Sequence, residues 1–214
     1  MKKIMFSERF GLEQSVLAGT KTMTRRIIPD IEIDWNRRGR VTLPVSGFEH
    51  GVLFMDVRSI LHDAGICDYS APAKYQPKYK VGEEVWIAQS YKGLGYKPND
   101  WIENCEGGYQ QAHEFAGYTN KMFVRSLYLE HRIRITNIKL ERLQDITDED
   151  CLKEGVEKWI DCYIVSGIME NHGKNNVCFD TPREAFAALI DRISGRGTWQ
   201  SNPWVYVYTF ELIK

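Results

Sequence analysis

The sequence predicts an α+β fold: a small mixed β-barrel with short flanking helices and long loop insertions. Three observations predict it. Arg132–Leu143 alternates apolar and polar residues in part, and Pro203–Ile213 is rich in aromatics, so both read as strands. Helix signals are few and short, the best being the threonine caps at Thr147 and Thr181. The stretches between are long and loop-like, punctuated by Gly and Pro. Few strands, short helices and long loops together imply a small embellished barrel. All 214 residues read as one domain, with insertions at about 30–78, 92–120 and 158–180.

Taken in order, Ser7–Leu17 reads as a short helix with Phe10, Val16 and Leu17 inward, ended by Gly19. Lys21–Ile28 follows as extended chain stopped by Pro29. Residues 30–80 are irregular, with the basic run Arg37-Arg38-Gly39-Arg40 and a hairpin around Gly47–Met55. The turn at Val81-Gly82 leads into Glu84–Tyr91, a core strand with a polar end. Ile133, Ile135, Ile138 and Leu140 mark the next strand as half-buried. Thr147 caps a helix with Asp148, Glu149 and Asp150 in its first turn. Thr181-Pro182-Arg183-Glu184 is a capping box with proline at the first helical position. Its helix carries Phe186, Leu189, Ile190 and Ile193 on one stripe and stops at Gly195. Pro203–Ile213 closes the chain as a strand buried on both faces.

The composition excludes several function classes. A net charge of −1 gives no global positive field for nucleic acid, so any such contact must be local. The apolar runs are too short for a membrane span, and the N-terminus turns polar before a signal core forms. These features place the protein in the cytoplasm, away from membranes. Cys67, Cys105, Cys151, Cys162 and Cys178 show no zinc spacing and read as free, mostly buried thiols. The five histidines are scattered in no ligand pattern, so neither metal nor cofactor is expected.

Chemistry concentrates in Leu17-Ala18-Gly19-Thr20-Lys21-Thr22-Met23-Thr24-Arg25-Arg26, a run of donors and hydroxyls behind a turn glycine. A surface turn needs the glycine but not this set of side chains, and the segment reads as the wall of a small polar site. If Lys21 to Thr24 were one regular strand, the two would face opposite sides. Lys21 must therefore sit in the turn for both to reach one pocket.

Gly19-x-Lys21-x-x-Thr24-x-Arg26 resembles the signature of the ASCH domain, a PUA-like β-barrel with the broad pattern G-x-K-x-x-E-x-R. Tyr79-Lys80-Val81-Gly82-Glu83 resembles the family's Y-K-x-G-(D/E) turn, and Arg132–Glu154 its strand-plus-helix block. The ending from Trp199 through Trp204-Val205-Tyr206-Val207 resembles the long members common in phages and prophages. These blocks cover roughly half the chain in matching order. Where the broad family has Glu, this chain has Thr24, as does the bacterial N4-acetylcytidine amidohydrolase branch. The resemblance to that branch implies a catalytic set of Lys21, Thr24 and Glu154. Long members carry R-E-(T/S) where this chain has Ala88-Gln89-Ser90, and the compact hydrolase lacks the insertions at 30–78 and 158–180.

On this reading the pocket takes a nucleoside or modified base, with Arg25, Arg26, Gln89, Ser90 and Tyr91 as substrate-binding residues. The concrete activity it implies is amide hydrolysis of an N-acylated nucleoside. Thr24 would be the nucleophile, and Lys21 either a neutral base in a dry pocket or a charged oxyanion partner with Glu154 handling protons. The alternatives are a non-catalytic RNA-binding module with Lys21, Arg25 and Arg26 on phosphates, or a prophage accessory protein without chemistry. By residue type alone, Lys21 and Arg25 also fit solvated charges, and Glu154 fits a surface pair with Lys158. Trp86, Tyr91, Trp199 and Trp204 fit either core packing or base stacking.

Overall fold

The computed structural model describes residues 2–28, 77–170 and 175–213; between 29 and 76 it describes only the backbone of four short strands. In chain order the elements begin with β1 (Lys3–Ile4), α1 (Leu12–Leu17) and β2 (Met23–Ile27). The four short strands are β3 (Glu32–Asp34), β4 (Arg40–Thr42), β5 (Gly47–Glu49) and β6 (Val52–Phe54). Then come β7 (Glu84–Ile87), β8 (Trp101–Glu103), β9 (Tyr109–Gln111), β10 (Arg132–Arg142) and α2 (Asp148–Lys153). The remainder is β11 (Glu157–Trp159), β12 (Cys162–Ile164), β13 (Met169–Glu170), β14 (Asn175–Asn176), α3 (Pro182–Ser194), α4 (Thr198–Ser201) and β15 (Trp204–Ile213).

The α+β class holds, and the organising element is a five-stranded sheet in the order β1-β7-β10-β15-β2. The alternation expected in β10 pairs it along its length with β15, with a register shift between Ile135 and Asn137. β1 joins β7 in parallel, and β2 runs antiparallel to β15. The apolar stripe of α3 buries Phe186, Leu189 and Ile190 in the same core as Val205 and Val207 of β15. Its start is built as the sequence predicts, with Thr181 accepting from the Glu184 amide and Glu184 from the Thr181 amide.

No closed barrel is found among the described residues: β1 and β2 are the two edges of the sheet. Side chains occupy the space between those edges. Arg26 Nη2 on β2 donates to Met5 O just beyond β1, at 2.7 Å, and its guanidinium lies over the Phe6 ring. A strand of two residues offers too few ladder bonds to close the gap.

Four further expectations are corrected. The first helix begins at Leu12, because Gly11 takes a left-handed φ of 65° and residues 8–11 form a turn. Residues 92–120 are not simply loop. β8 and β9 form a hairpin around Asn104, whose side chain accepts from the Glu106 and Gly108 amides. With short 3-10 turns it encloses a second core of Tyr91, Ile102, Ala112, Val124 and Leu129. The 158–180 insertion likewise contains two short hairpins, β11–β12 and β13–β14.

The fourth concerns the cysteines: Cys162 and Cys178 are joined by a disulfide, their Cα atoms 5.6 Å apart. Cys105 is exposed and free, Cys151 buried and free. Burial pushes the Cys151 thiol up to about 12, so almost none is thiolate at pH 8. Iodoacetamide at pH 8 is therefore expected to alkylate Cys105 and spare Cys151 in the native protein, as read by peptide mapping. Equal labelling would contradict the packing around Cys151. Backbone pairing of β5 with β6 places the hairpin expected near Gly47–Met55. Cys67, Arg37 and Arg38 lie outside the described residues. No helix among the described residues is long and apolar enough to cross a membrane.

Candidate functional site

Lys21 lies two residues ahead of β2, as the parity argument requires. Gly19, at φ 76°, turns the chain out of α1, and the Thr22 amide donates to Lys153 O at the end of α2. That contact brings the N-terminal turn onto α2, and with it the residue that follows the helix, Glu154. Gly155 completes the approach. At φ 102° it carries no side chain, and a Cβ there would stand 2.8 Å from Leu12 Cδ2 and 3.6 Å from Lys21 Cδ.

Lys21 is 2% exposed and spends all three ammonium donors on the protein. Nζ donates to Met23 O at 2.7 Å, Glu154 O at 2.6 Å and Glu154 Oε2 at 2.7 Å. It thereby closes a free carbonyl at the C-terminal end of α2, where a cation is favoured. Burial lowers its pKa from the ordinary lysine value, against the opposing pull of Glu154. Three acceptors match the charged form, while the dry surroundings make the proton easier to lose than from a surface lysine.

Arg25 is saturated in the same way. Nε and Nη2 donate to Glu141 Oε1, Nη2 also to Asp150 Oδ2, and Nη1 to Glu154 Oε1 and Met23 Sδ. Glu154, 4% exposed, is thus held through both oxygens, one on Lys21 and one on Arg25. Its partner is not Lys158, and neither Lys21 nor Arg25 is a solvated charge. Glu141 and Asp150 were not singled out by the sequence. The only signal for them is that Glu141 and Lys139 sit two apart on β10, on the side facing Asp150.

These residues border a cavity of about 390 Å³, whose polar lining includes Lys21, Thr24, Arg25, Arg26 and Glu154. Phe6, Leu12 and Phe186 also line it, while Ile27, Leu189, Ile190 and Ile193 form an aliphatic wall. Such a cavity falls in the size range of small-ligand sites. Thr24 is 5% exposed, and among the described residues its hydroxyl makes no hydrogen bond. Arg26 occupies the same face of β2 two residues on, Thr24 paired with Tyr208 and Arg26 with Tyr206.

Gln89, Ser90 and Tyr91 lie elsewhere. Gln89 Nε2 donates to Glu13 Oε1 at 3.1 Å, and Lys121 Nζ reaches both Glu13 Oε2 and Glu8. Ser90 Oγ accepts from the Gly93 amide, a local turn contact. Tyr91 is buried in the second core, edge-on to Tyr96, Phe115 and Tyr128. Trp86, Trp199 and Trp204 also stand outside the cavity lining and pack against Arg132, Arg183 and Arg142. Among the described residues no group of three or more His, Cys, Asp or Glu is arranged to hold a metal ion. No protein-family model, curated protein or solved structure matches the chain.

Proposed function

We propose that the chain is an ASCH-type, PUA-like protein whose cavity takes a nucleoside or modified base, and that it hydrolyses the amide of an N-acylated nucleoside such as N4-acetylcytidine. The observation that carries the reading is the convergence of Lys21, Thr24 and Glu154, 133 residues apart at its widest, on one ligand-sized cavity. The burial and saturation of Lys21 and Arg25 favour a small enclosed ligand over an RNA backbone, which needs accessible donors.

The donor inventory also orders the two roles open to Lys21. Glu154 has one carboxylate oxygen on Lys21 and the other on Arg25, so both are engaged and it serves to anchor Lys21. Lys21, its pKa lowered by burial, releases its proton to solvent and turns its lone pair to Thr24. Thr24 Oγ attacks the acyl carbon as its proton passes to Lys21, and the regenerated ammonium then faces the developing oxyanion. Collapse breaks the C–N bond, with Lys21 returning the proton to the leaving amine. Water then cleaves the acyl-threonine ester and frees the carboxylic acid.

A chromatographic assay of purified protein with N4-acetylcytidine tests this. Wild type is expected to release cytidine, and Thr24→Ala to lose at least ~100-fold in rate with an unchanged melting temperature. An equally active Thr24→Ala would remove threonine from the chemistry, and inert wild type across N-acylated nucleosides would end the hydrolase reading.

A further inference from the structure

Among the described residues the charges at and around the cavity do not balance. Lys21, Arg25 and Lys139 face Glu154, Glu141 and Asp150 in one connected set of ion pairs, three cations against three carboxylates. Lys153, at the fringe of this set, has Glu149 at 2.9 Å as its own partner. Arg26 stands outside the set. Among the described residues it pairs with no carboxylate, and its one polar contact is the donation from Nη2 to Met5 O. A guanidinium has five N–H donors, so most of Arg26's fork is unspent on the described residues.

Among the described residues no carboxylate is within ion-pair reach of Arg26: Glu154, which lines the same cavity, is held by Lys21 and Arg25, and Glu83, beside Tyr79 and Tyr208, is held by Lys2. The Arg26 guanidinium and Lys21 Nζ lie about equally far from the centre of the Phe6 ring, at 5.8 and 6.0 Å, and the two cations repel. Tyr79 and Tyr208 also feel Arg26, but burial holds both phenols in the neutral form. Arg25 and Arg26 are neighbours in sequence with opposite fates: alternation along β2 turns the first to the carboxylates of β10 and α2 and the second away. A half-buried guanidinium with spare parallel donors is matched to a bidentate oxyanion.

We infer that the preferred ligand of this cavity carries an anionic group bound by Arg26, and that the phosphate monoester of the acylated nucleoside is bound in preference to the free nucleoside, which the site also accepts. The inference rests on the nucleoside reading of the cavity and deepens it. Arg26 then acts in ground-state recognition, while Lys21 and Thr24 act on the acyl group.

Titration calorimetry separates this from the chemistry. Cytidine, cytidine 5′-monophosphate and cytidine 3′-monophosphate are titrated into wild type, Arg26→Gln and Arg26→Lys. One monophosphate is expected to bind wild type about tenfold tighter than cytidine, and comparison of the 5′ and 3′ esters locates the phosphate. The gap should close in Arg26→Gln, persist in part in Arg26→Lys, and narrow in wild type as salt rises. Equal binding of all three probes by wild type, or a gap that survives in folded Arg26→Gln, overturns the inference. If Arg26→Gln does not fold, Arg26→Lys and the salt series decide. No turnover of acylated substrates, with the phosphate gap intact, would instead end the hydrolase reading alone. Binding of none of the probes would end both.

Discussion

Glu154→Leu is expected to destabilise the protein by about 3–5 kcal/mol, because it leaves Lys21 as an uncompensated buried charge and strips one carboxylate from Arg25. For a chain of this size that is a fall in melting temperature of roughly 10 °C. The pair is also expected to show strong coupling. Lys21→Met on its own leaves Glu154 with one cationic partner fewer, but combined with Glu154→Leu it removes both charges. An apolar pair of similar volume can replace a buried ion pair at little cost. The double variant should therefore melt above the value that the two single losses predict when added. A double variant at or below that value would mean that Lys21 and Glu154 do not depend on each other, and the site would lose its anchor.

Gly167→Ala is the second large effect. Gly167 has φ 79°, and a Cβ there would stand 2.0 Å from Arg9 O, a main-chain atom that cannot swing aside. The substitution must push the 158–180 arm off the turn at residues 8–11, which leads into α1 and so to Leu12 of the cavity wall. Left-handed strain alone costs about 1–2 kcal/mol, and the displacement of backbone adds to it. Gly195→Ala is the matched control, since φ there is 108° but the space is open. Thermal melts should show Gly167→Ala losing clearly more than Gly195→Ala. Equal losses would mean that the arm is not seated on the N-terminal turn.

The sequence carried the local devices and missed the long-range ones. Thr147 and Thr181 are legible as caps because their partners lie three residues away. The position of Lys21 outside β2 follows from strand parity alone. The β8–β9 hairpin escapes because only Ile102 of its residues packs inward while Trp101 and Tyr109 stay exposed, so no alternation of apolar residues marks it. The Cys162–Cys178 link has no motif spacing, and it forms because the chain between β12 and the segment after β14 doubles back, pairing Tyr163 with Phe179. The strand expected over Glu84–Tyr91 stops at Ile87, and Tyr91, four residues past β7 beside polar residues that suggested a binding position, is covered by the 3-10 turns of 112–128.

The candidate site divides along the same line. Residue type and spacing identified Lys21, Thr24 and Arg26, and a family resemblance was needed to reach Glu154. Nothing in the sequence showed that, among the described residues, Arg25 would face three carboxylates and Arg26 none, because that distinction depends on which strand and helix pack on each face of β2. Glu13 was missed for a similar reason: a carboxylate on a short helix reads as solvated until Gln89 and Lys121 are seen closing over it.

The most direct measurement is a crystal structure of Thr24→Ala with N4-acetylcytidine at saturating concentration. The account predicts the acetyl carbonyl beside Lys21 Nζ, at the position vacated by the Thr24 hydroxyl, with the ring between Phe6 and the aliphatic wall of Ile27, Leu189 and Ile190. A ligand bound elsewhere, or bound with its acyl group turned away from Lys21, would contradict it.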